Sequence, residues 1–396
     1  MRGKAVQFGA GNIGRGFLGQ LFFQSGYEIV FIDVNEELVR ELNRRRSYPI
    51  RIIGDKPCEI TVRGVRAING TDTGAVAQEL ASSDIAATSV GVKFLSELAE
   101  PVARGLDARF QVPNSPPLNI IVCENMVNAA ALLKRKVAEK LNAAHSELLE
   151  SKVGFVDASI GRMVPLMTEE QRKANPLLMM VEEYCELPVD KAAFKGPIPP
   201  ITNLKPYDNF QAYVERKLYI HNTGHAIAAY LGHLRGYAFI WEAIGDPDVR
   251  ERVRAALDES KEALIRRYGL NRSDLDDHIS DLLRRFANVA LGDTIFRVAR
   301  DPVRKLGKED RLVGAAQAAF ATGITPVHIA SGIAAAIHYD EPNDPEAVTL
   351  KQMREGDGIE AVLSKICQIS SSDPLHTIVL GANETLRTTG WLEFGQ

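Results

Sequence analysis

The chain has 396 residues, of which 45% are hydrophobic and 25% are charged, and its formal net charge is −4. This balance is ordinary for a globular protein, and it excludes the strong positive charge that is typical of a nucleic-acid-binding domain. No run approaches the roughly 18 apolar residues that a membrane span needs. We therefore expect neither a nucleic acid nor a membrane as a partner.

The cysteines are few and far apart in the sequence, at Cys58, Cys123, Cys185 and Cys367, and they form no Cys-x-x-Cys pair. They therefore indicate neither a disulfide framework nor a cysteine-built zinc site, and we predict no bound metal. Such cysteine usage favours the reducing cytoplasm. The length of the chain favours two domains.

The first half of the chain alternates short apolar runs with amphipathic stretches. The apolar runs predict strands at 5–8, 28–33, 85–90, 118–123 and 154–159, and helices are predicted near 17–22, 36–43 and 129–141. Strands that alternate with helices are typical of a mostly parallel sheet covered on both faces. We therefore predict an α/β fold, a Rossmann-type doubly wound domain, for residues 1–200.

A glycine loop separates the first predicted strand from the first predicted helix. Gly9, Gly11 and Gly14 form the pattern Gly-x-Gly-x-x-Gly, and Asp33 ends the next strand. This arrangement is typical of a dinucleotide site, and an acid at the second strand end favours NAD over NADP because it repels a 2′-phosphate. Arg15, beside the loop, is expected to face either the pyrophosphate or solvent. The residues predicted to bind the cofactor are Phe8, Gly9, Ala10, Gly11, Asn12, Ile13, Gly14 and Asp33.

Prolines punctuate the segment 195–206, where Pro197, Pro199 and Pro200 stand close together. We interpret this segment as the hinge before a second, mainly α-helical domain at 201–396. Helices are predicted there at 213–234, 313–320 and 329–337. Another predicted helix begins at Asp246-Pro247 and ends at Gly269. Ser273 and Asp276 are predicted to cap the start of the helix that follows it.

The stretch 217–225 carries three side chains suited to chemistry on a carbonyl or an alcohol. In an α-helix, at about 100° per residue, Asn222 lies about 140° from Lys217 and His225 about 80°, so all three fall in one half of the helix surface. The apolar neighbours Leu218 and Ile220 favour desolvation of the lysine, which lowers its pKa toward the range of a general base. A snorkelling lysine, an exposed amide and a core histidine would give the same pattern, so the interpretation depends on context.

A nicotinamide cofactor gives the triplet that context. Together they indicate hydride transfer to or from a carbon that bears oxygen. In this hypothesis Lys217 exchanges the hydroxyl proton, Asn222 stabilises the developing oxyanion, and His225 holds a neighbouring substrate hydroxyl.

Several segments resemble the polyol-specific long-chain dehydrogenases. They are the loop 8–16, Cys123-Glu-Asn-Met-Val-Asn128, Ser159-Ile-Gly-Arg162, the Lys-x4-Asn-x2-His pattern at 217–225 and the segment 300–307, so the likeness covers nearly the whole chain. The resemblance implies metal-independent, NAD-dependent interconversion of D-mannitol 1-phosphate and D-fructose 6-phosphate. One departure is visible, since mannitol 2-dehydrogenases tend to have an aspartate before the arginine where this chain has Gly161-Arg162.

The resemblance also implies the catalytic residues. It makes Lys217 the catalytic lysine, Asn222 an oxyanion-binding asparagine and His225 a substrate-binding residue. A second oxyanion-binding asparagine is expected from the segment after a later strand, where Asn125 and Asn128 both qualify and Asn125 is favoured.

The substrate implied by the resemblance, a sugar phosphate, needs a cationic partner for its phosphate. A basic segment near 297–305 offers Arg300, Arg304 and Lys305, and Arg297 lies beside them. Arg162 and Lys205 are further candidates for the phosphate contact. Basic residues at this density also occur on solvated faces, so no single assignment follows. Family relatives include monomers and dimers, and we expect a monomer or a homodimer.

Three other interpretations fit parts of the pattern. Another polyol or sugar-acid oxidoreductase, such as mannitol 2-dehydrogenase or a fructuronate or tagaturonate reductase, would differ only in its substrate. A β-hydroxyacid dehydrogenase also joins a dinucleotide domain to a helical domain with a lysine and an asparagine, but usually at a shorter spacing than that of Lys217 and Asn222. A non-catalytic NAD-binding regulator would have no use for the whole triplet.

Overall fold

A computed structural model describes residues 3–54, 57–165 and 167–392 of the chain. The chain folds as two units, Met1–Tyr213 and Val214–Gln396. The first unit contains the strands together with several helices, and the elements described in the second unit are helical. The predicted order, an α/β half followed by a helical half, is confirmed.

The main sheet of the first unit has six parallel strands. The strands of this unit, in chain order, are β1 (Gly3–Phe8), β2 (Tyr27–Asp33), β3 (Ser47–Ile53), β4 (Cys58–Arg63), β5 (Val65–Asn69), β6 (Ile85–Thr88), β7 (Leu118–Val122), β8 (Val153–Asp157), β9 (Met179–Glu182), β10 (Leu187–Asp190) and β11 (Leu204–Tyr207). The six-stranded sheet has the order β5-β2-β1-β6-β7-β8, which is that of a doubly wound dinucleotide-binding fold. The chain changes direction between β1 and β6, and such folds bind ligands at this switch point.

Both faces of this sheet are buried. Ala5 and Phe31 belong to one apolar cluster, whereas Val6 and Val30 belong to another. Because successive side chains of a strand point to opposite faces, this division places one cluster on each side of the sheet. The helices of this unit are α1 (Gly19–Gln24), α2 (Glu36–Arg45), α3 (Thr73–Ala81), α4 (Ala99–Phe110), α5 (Ala129–Ala138), α6 (Ser146–Lys152) and α7 (Glu169–Ala174).

Two smaller sheets in the first unit are not among the sequence predictions. β3 pairs antiparallel with β4 and parallel with β9, and β10 pairs parallel with β11. The proline-rich segment 195–206 lies within this unit. Its start is held by Asn119, whose side chain accepts from Lys195 N at 2.9 Å and donates to Lys195 O at 3.1 Å. The role of the segment as a hinge stays a prediction.

The second unit is built from helices. Helix α8 (Phe210–Arg216) crosses the division between the units, and the helices that follow are α9 (Thr223–Leu234), α10 (Ile240–Gly245), α11 (Pro247–Tyr268), α12 (Arg272–Phe286), α13 (Ile295–Ala299), α14 (Pro302–Lys305), α15 (Val313–Ala321), α16 (Val327–Ile337), α17 (Pro345–Asp357), α18 (Ile359–Lys365) and α19 (Pro374–Thr388). Within the described ranges, no helix combines the length and the apolar character needed to cross a membrane.

The ends of α11 and α12 test two capping predictions. Asp246 caps α11 by accepting from Asp248 N at 2.8 Å, and Gly269 ends the helix in the left-handed conformation, as expected. The cap predicted for α12 is wrong, because Asn271 occupies that position and accepts from Asp274 N at 3.2 Å. The chain therefore enters α12 earlier than the Ser-x-x-Asp pattern suggested.

Candidate functional site

The three glycines of the loop after β1 have different structural roles. Gly9 has a φ of +87°, and a Cβ there would lie 2.5 Å from Ser89 O. A Cβ on Gly14 would overlap Gly9 O, whereas a Cβ on Gly11 would meet no heavy atom of the described residues within 4 Å. The fold itself therefore requires Gly9 and Gly14, while Gly11 leaves the backbone open to a ligand. A pyrophosphate group fits such a loop at the start of a helical segment.

Asp33 lies beside this loop at the end of β2. Its Oδ2 accepts from Ala10 N at 2.7 Å, and its Oδ1 accepts from Asn35 N at 2.9 Å. A carboxylate has about four acceptor positions, so Asp33 can keep these bonds and still accept from ribose hydroxyls. Its negative charge opposes a 2′-phosphate, in agreement with a site selective for NAD.

Arg15 is buried, so the expectation that its side chain faces solvent is wrong. Its Nε donates to Ala10 O at 2.6 Å, and its Nη1 donates to Leu177 O at 3.0 Å. Burial lowers the pKa of Arg15, and Tyr48 Oη donates to the carbonyl of the same residue at 2.8 Å. Arg15 therefore fastens the glycine loop to the rest of the unit, and its expected contact with the pyrophosphate stays a prediction.

The loop between β7 and α5 carries both asparagines that qualify for the second oxyanion contact. Asn125 and Asn128 are exposed, and Asn128 has a φ of 56°, in the left-handed region, where it begins α5. Glu124 fixes the start of this loop, because its carboxylate accepts from Val90 N and Gly91 N, each at 2.9 Å. The loops after β6 and β7 are thus joined at the carboxyl edge of the sheet, where doubly wound folds bind ligands.

A π-helical turn, Lys217–Asn222, joins α8 to α9 and carries two of the three side chains of the predicted triplet, Lys217 and Asn222. Thr223 N donates to Leu218 O, five residues earlier, and Thr223 Oγ1 donates to the same carbonyl at 3.0 Å. Residues five apart in a π turn lie one above the other, so Lys217 and Asn222 share one face more closely than the assumed α-helix allows. His225 follows Asn222 by three residues in α9 and stays on that side.

The environment of Lys217 lowers its pKa to about 8, through burial first and then through the charge of Arg311. The main chain of Arg311 is attached to the π turn, because Thr223 Oγ1 donates to Arg311 O at 2.6 Å. A lysine with this pKa exists in both protonation states near neutral pH, so it can serve as acid and as base. Burial also lowers the pKa of His221, in the same turn, well below its usual value, so this imidazole is neutral.

The imidazole of His225 is held from two sides. It stacks on Phe286, with ring centroids 4.7 Å apart and an interplanar angle of 9°. Its Nε2 lies 2.9 Å from Asp293 Oδ2, and Asp293 Oδ1 accepts from Arg297 Nε at 2.7 Å. Burial alone would raise the pKa of Asp293, but its contacts with His225 and Arg297 outweigh burial and lower it.

The residues predicted to bind phosphate occupy the short segment 300–305. Arg300 is exposed and Arg304 is half-exposed, and they lie 3.9 and 3.8 Å from Asp301 Oδ2. Lys305 is buried and donates to Arg300 O, and burial, Arg311 and Arg304 lower its pKa to about 7. Arg311 thus acts on this lysine as well as on the lysine of the π turn. Asp310 pairs with Arg304 at 3.0 Å and with Arg311 at 2.8 Å, so the positive charge of this region is partly neutralised by a carboxylate.

The two other phosphate candidates have different surroundings. Arg162 is buried, and its Nη1 donates to Gly16 O at 3.0 Å and to Gln20 Oε1 at 2.7 Å. These bonds make Arg162 a packing residue of the first unit, so its candidacy as a phosphate ligand is wrong. Lys205 is exposed, and its Nζ lies 3.9 Å from Glu186.

Sequence reasoning missed three residues that surround the triplet. Phe286 ends α12, whereas Asp293 and Arg311 lie in the loops before α13 and α15, and Arg311 is 88 positions away from its partner Thr223. The only local signal was the i, i+4 pairing of Asp293 with Arg297. Among residues 3–54, 57–165 and 167–392, no group of three His, Cys, Asp or Glu side chains is arranged to hold a metal ion.

Two family models together match most of the chain. The mannitol dehydrogenase Rossmann domain matches residues 3–203, and the mannitol dehydrogenase C-terminal domain matches residues 209–379. The first match contains the glycine loop and the second contains the π turn.

Curated relatives match over nearly the full length. A mannitol-1-phosphate 5-dehydrogenase from Geobacillus stearothermophilus is 40% identical over 373 residues, which cover 94% of this chain and 96% of the relative. An enzyme of the same name from Geobacillus thermodenitrificans (strain NG80-2) is 40% identical over 374 residues, with the same coverage.

Two solved structures share the fold at low sequence identity. Pseudomonas fluorescens mannitol 2-dehydrogenase, in a ternary complex with NAD and D-mannitol, has a TM-score of 0.76 and 17% identity, covering 100% of this chain and 94% of that one. A substrate-free D-sorbitol dehydrogenase has a TM-score of 0.82 and 16% identity, covering 98% of this chain and 94% of that one.

Proposed function

The chain belongs to the mannitol dehydrogenase family, and on that premise we propose that it catalyses the NAD-dependent interconversion of D-mannitol 1-phosphate and D-fructose 6-phosphate. The observation that carries the proposal is the 40% identity, over 94% of this chain, to mannitol-1-phosphate 5-dehydrogenases. The mannitol 2-dehydrogenase and the D-sorbitol dehydrogenase are only 17% and 16% identical, so the phosphorylated polyol is favoured over a free one. Membership of this family confirms the expected polyol dehydrogenase and gives no support to a β-hydroxyacid dehydrogenase.

The cofactor is NAD, whose reduced form would supply a hydride to C2 of the ketose and whose oxidised form would accept one from the same carbon, C5 of the polyol. The open backbone at Gly11 and the acidic side chain of Asp33 support this cofactor. The residues proposed to hold it are Phe8, Gly9, Ala10, Gly11, Asn12, Ile13, Gly14 and Asp33.

Lys217 is proposed to move the proton that balances the hydride. In ketose reduction its ammonium form donates a proton to the C2 oxygen, and in polyol oxidation its neutral amine removes the proton from the C5 hydroxyl. A pKa of about 8 supports both roles, because both forms are then populated near neutral pH. Lys305 also has a lowered pKa, but its ammonium donates to Arg300 O, so we assign it to binding.

The amides and the imidazole are proposed to act on the substrate oxygens. Asn222 donates to the oxygen at the reacting carbon as negative charge develops there, and Asn125 is proposed as a second donor. The position of Asn222 on the face of Lys217 in the π turn supports its part in this assignment. His225 is proposed to hold a neighbouring hydroxyl of the sugar chain.

The phosphate of the substrate is proposed to bind the cations of the segment 300–305, Arg300, Arg304 and Lys305. The charge of Arg311, which lowers the pKa of Lys305, supports an anion in this region. Replacement of a true phosphate ligand by methionine should raise KM for fructose 6-phosphate and leave KM for NADH unchanged. A variant with both constants unchanged removes that residue from the assignment.

The wider setting of the enzyme belongs to the same proposal. We propose that residues 1–200 serve the cofactor and that 201–396 serve the substrate and the proton transfer. The four free cysteines support a reducing cytoplasmic location. A monomer or a homodimer remains the expected assembly.

The direct test is the loss of NADH absorbance with fructose 6-phosphate, compared with fructose, fructuronate and tagaturonate. We expect turnover with fructose 6-phosphate and little with the other three. Turnover with fructose alone would favour a mannitol 2-dehydrogenase activity, and turnover with either keto acid would favour a hexuronate reductase. NADH oxidation with none of the four would contradict the proposal.

A further inference from the structure

We propose that Asp293 is a positioning residue that fixes His225 in the tautomer with hydrogen on Nε2 and so leaves Nδ1 as an acceptor for a sugar hydroxyl. The proposal rests on the proposed function only for the identity of the sugar. The contact between the two side chains is a property of the second unit itself. Asp293 is not itself expected to touch the substrate.

The geometry leaves the imidazole little freedom. Its Nε2 lies 2.9 Å from Asp293 Oδ2, and stacking on Phe286 fixes the plane of the ring. The side chain of Asp293 is only 6% exposed, whereas 16% of the His225 side chain remains exposed. Nε2 is buried and, although it lies 2.9 Å from Asp293 Oδ2, it makes no hydrogen bond of standard geometry, so the exposed part of the ring lies elsewhere.

The carboxylate decides which ring nitrogen carries the proton. An ionised carboxylate repels the lone pair of a ring nitrogen and attracts an N–H group, so we infer that the nitrogen 2.9 Å from Asp293 is the one that carries hydrogen. A neutral imidazole has one donor and one acceptor, and a donor at Nε2 therefore makes Nδ1 the acceptor. A sugar hydroxyl can accept a hydrogen bond at its oxygen and still has one hydrogen to donate. An acceptor at Nδ1 would receive that hydrogen.

The side chain of Asp293 is held in place by other residues, unlike an acidic side chain that moves freely on the surface. Its Oδ1 accepts from Arg297 Nε at 2.7 Å, and Arg297 Nη2 also contacts it. Its main-chain carbonyl accepts from Ile240 N at 2.9 Å, which holds the residue where α10 begins. The carboxylate therefore stays ionised and in place, as a group that orients a histidine must.

The same unit contains a second histidine–aspartate pair that serves as a control. His233 Nε2 lies 3.1 Å from Asp340 Oδ1, near the end of α9 and outside the triplet. Asp340→Asn therefore makes the same chemical change as Asp293→Asn. If any such pair merely stabilises the helical unit, the two variants should behave alike.

The test combines ¹⁵N NMR of the histidine rings with kinetics on the full chain. In the wild-type protein, the signals lost in His225→Gln should have the pattern of an Nε2–H tautomer. Asp293→Asn should convert them to a mixture or to Nδ1–H, because an amide can donate as well as accept. It should also lower kcat/KM for fructose 6-phosphate by about 10- to 100-fold, as loss of a group that orients a site histidine does, with KM for NADH unchanged.

Asp340→Asn should change the signals of His233 and leave both kinetic constants within about twofold, since surface pairs outside a site contribute little. An Nδ1–H pattern for His225 in the wild-type protein would overturn the proposal, even if Asp293→Asn failed to fold. Unchanged tautomer and kinetics in a folded Asp293→Asn protein would also overturn it. If the wild-type protein does not reduce fructose 6-phosphate, the proposed function fails, and the NMR result still decides the role of Asp293.

Discussion

Replacement of Lys217 by methionine should abolish turnover and at the same time stabilise the second unit near neutral pH. The folded protein lowers the pKa of this lysine from 10.5 to about 8, through burial and then the charge of Arg311. A lowered lysine pKa means that the folded state opposes the charged form. Lys217 therefore costs stability wherever it is protonated, and methionine removes that cost.

The size and the sign of the stability change both follow from the pKa values of Lys217 in the folded and unfolded states. The unfolded chain binds more protons than the folded chain between about pH 8 and about pH 10.5, so wild-type stability rises with pH across that window. At neutral pH both states are mostly protonated at Lys217, and the cost is about 3 kcal/mol. It falls by about 2 kcal/mol between about pH 7 and about pH 9.5. The advantage of Lys217→Met should shrink by that amount over the same interval.

The assay is denaturation by urea, followed by tryptophan fluorescence at both pH values. The two tryptophans of the chain, Trp241 and Trp391, both belong to the unit that carries Lys217, so their signal reports its unfolding. A comparison at two pH values isolates the titration, because contacts that Lys217 makes in either protonation state cancel in the difference. Circular dichroism at each pH checks that the variant retains its helices.

Lys261 provides a matched control of opposite sign. It is also buried, which would lower its pKa, but hydrogen bonds to Asp258 at 2.8 Å and Asp276 at 2.6 Å outweigh burial and raise it. Its stabilising contribution is fully present below the unfolded pKa and is lost only above it, so Lys261→Met should destabilise the unit almost equally at both pH values. A Lys217→Met advantage that stayed constant with pH, or that grew toward about pH 9.5, would refute the reasoning.

Four further predictions concern activity. Ketose reduction should decline and polyol oxidation should increase as pH rises through about 8, the pKa of Lys217 in the free enzyme, and profiles of kcat/KM in the two directions that failed to mirror each other would contradict its role as acid and base. Lys305→Met should leave the midpoint of these profiles in place while raising KM for fructose 6-phosphate, and a shifted midpoint would transfer the proton-handling role to Lys305. Gly11→Ala should fold normally and weaken NADH binding, whereas Gly14→Ala should lower the melting temperature because its methyl group overlaps Gly9 O; equal stability of the two variants would contradict the assigned roles. Asp33→Ala should weaken NADH binding and improve the relative use of NADPH, and an unchanged NADH-to-NADPH preference in kcat/KM would remove Asp33 as the selectivity residue.

The main sheet could be predicted from the sequence because its strands are buried on both faces. Ile29 to Ile32 form a continuous apolar run that Asp33 ends, and the glycine loop stands earlier, after β1. Each of these signals can be recognised within a short stretch of sequence. β4 could not be predicted in the same way, since its residues are mostly exposed or half-buried and it pairs only with β3. The order of the strands in the sheet was not a local signal either, although the family of dinucleotide-binding folds implied it.

The side chains of the proposed site could be named from the sequence, but the geometry that the structure gives them could not. Lys217, Asn222 and His225 were recognisable from their types and spacing, yet the sequence has no local signal for the extra residue of a π turn. The turn depends on Thr223, which binds Leu218 O in its own helix and Arg311 O, 88 positions away. A contact of that sequence separation arises only from tertiary packing, so the angles expected for an α-helix did not hold.

The same contact links the shape of the turn to its chemistry. By binding Arg311 O, Thr223 attaches to the π turn the residue whose charge, together with burial, lowers the pKa of Lys217. Arg311 also lowers the pKa of Lys305, so one guanidinium acts on both lysines of the proposed site. An anionic substrate would relieve this mutual repulsion and raise both pKa values on binding, because a nearby negative charge favours the protonated amines. The pKa that controls kcat for ketose reduction should therefore lie above the one that controls kcat/KM, since the first belongs to the substrate complex and the second to the free enzyme. Equal pKa values in the two profiles would argue that the phosphate binds away from Arg311.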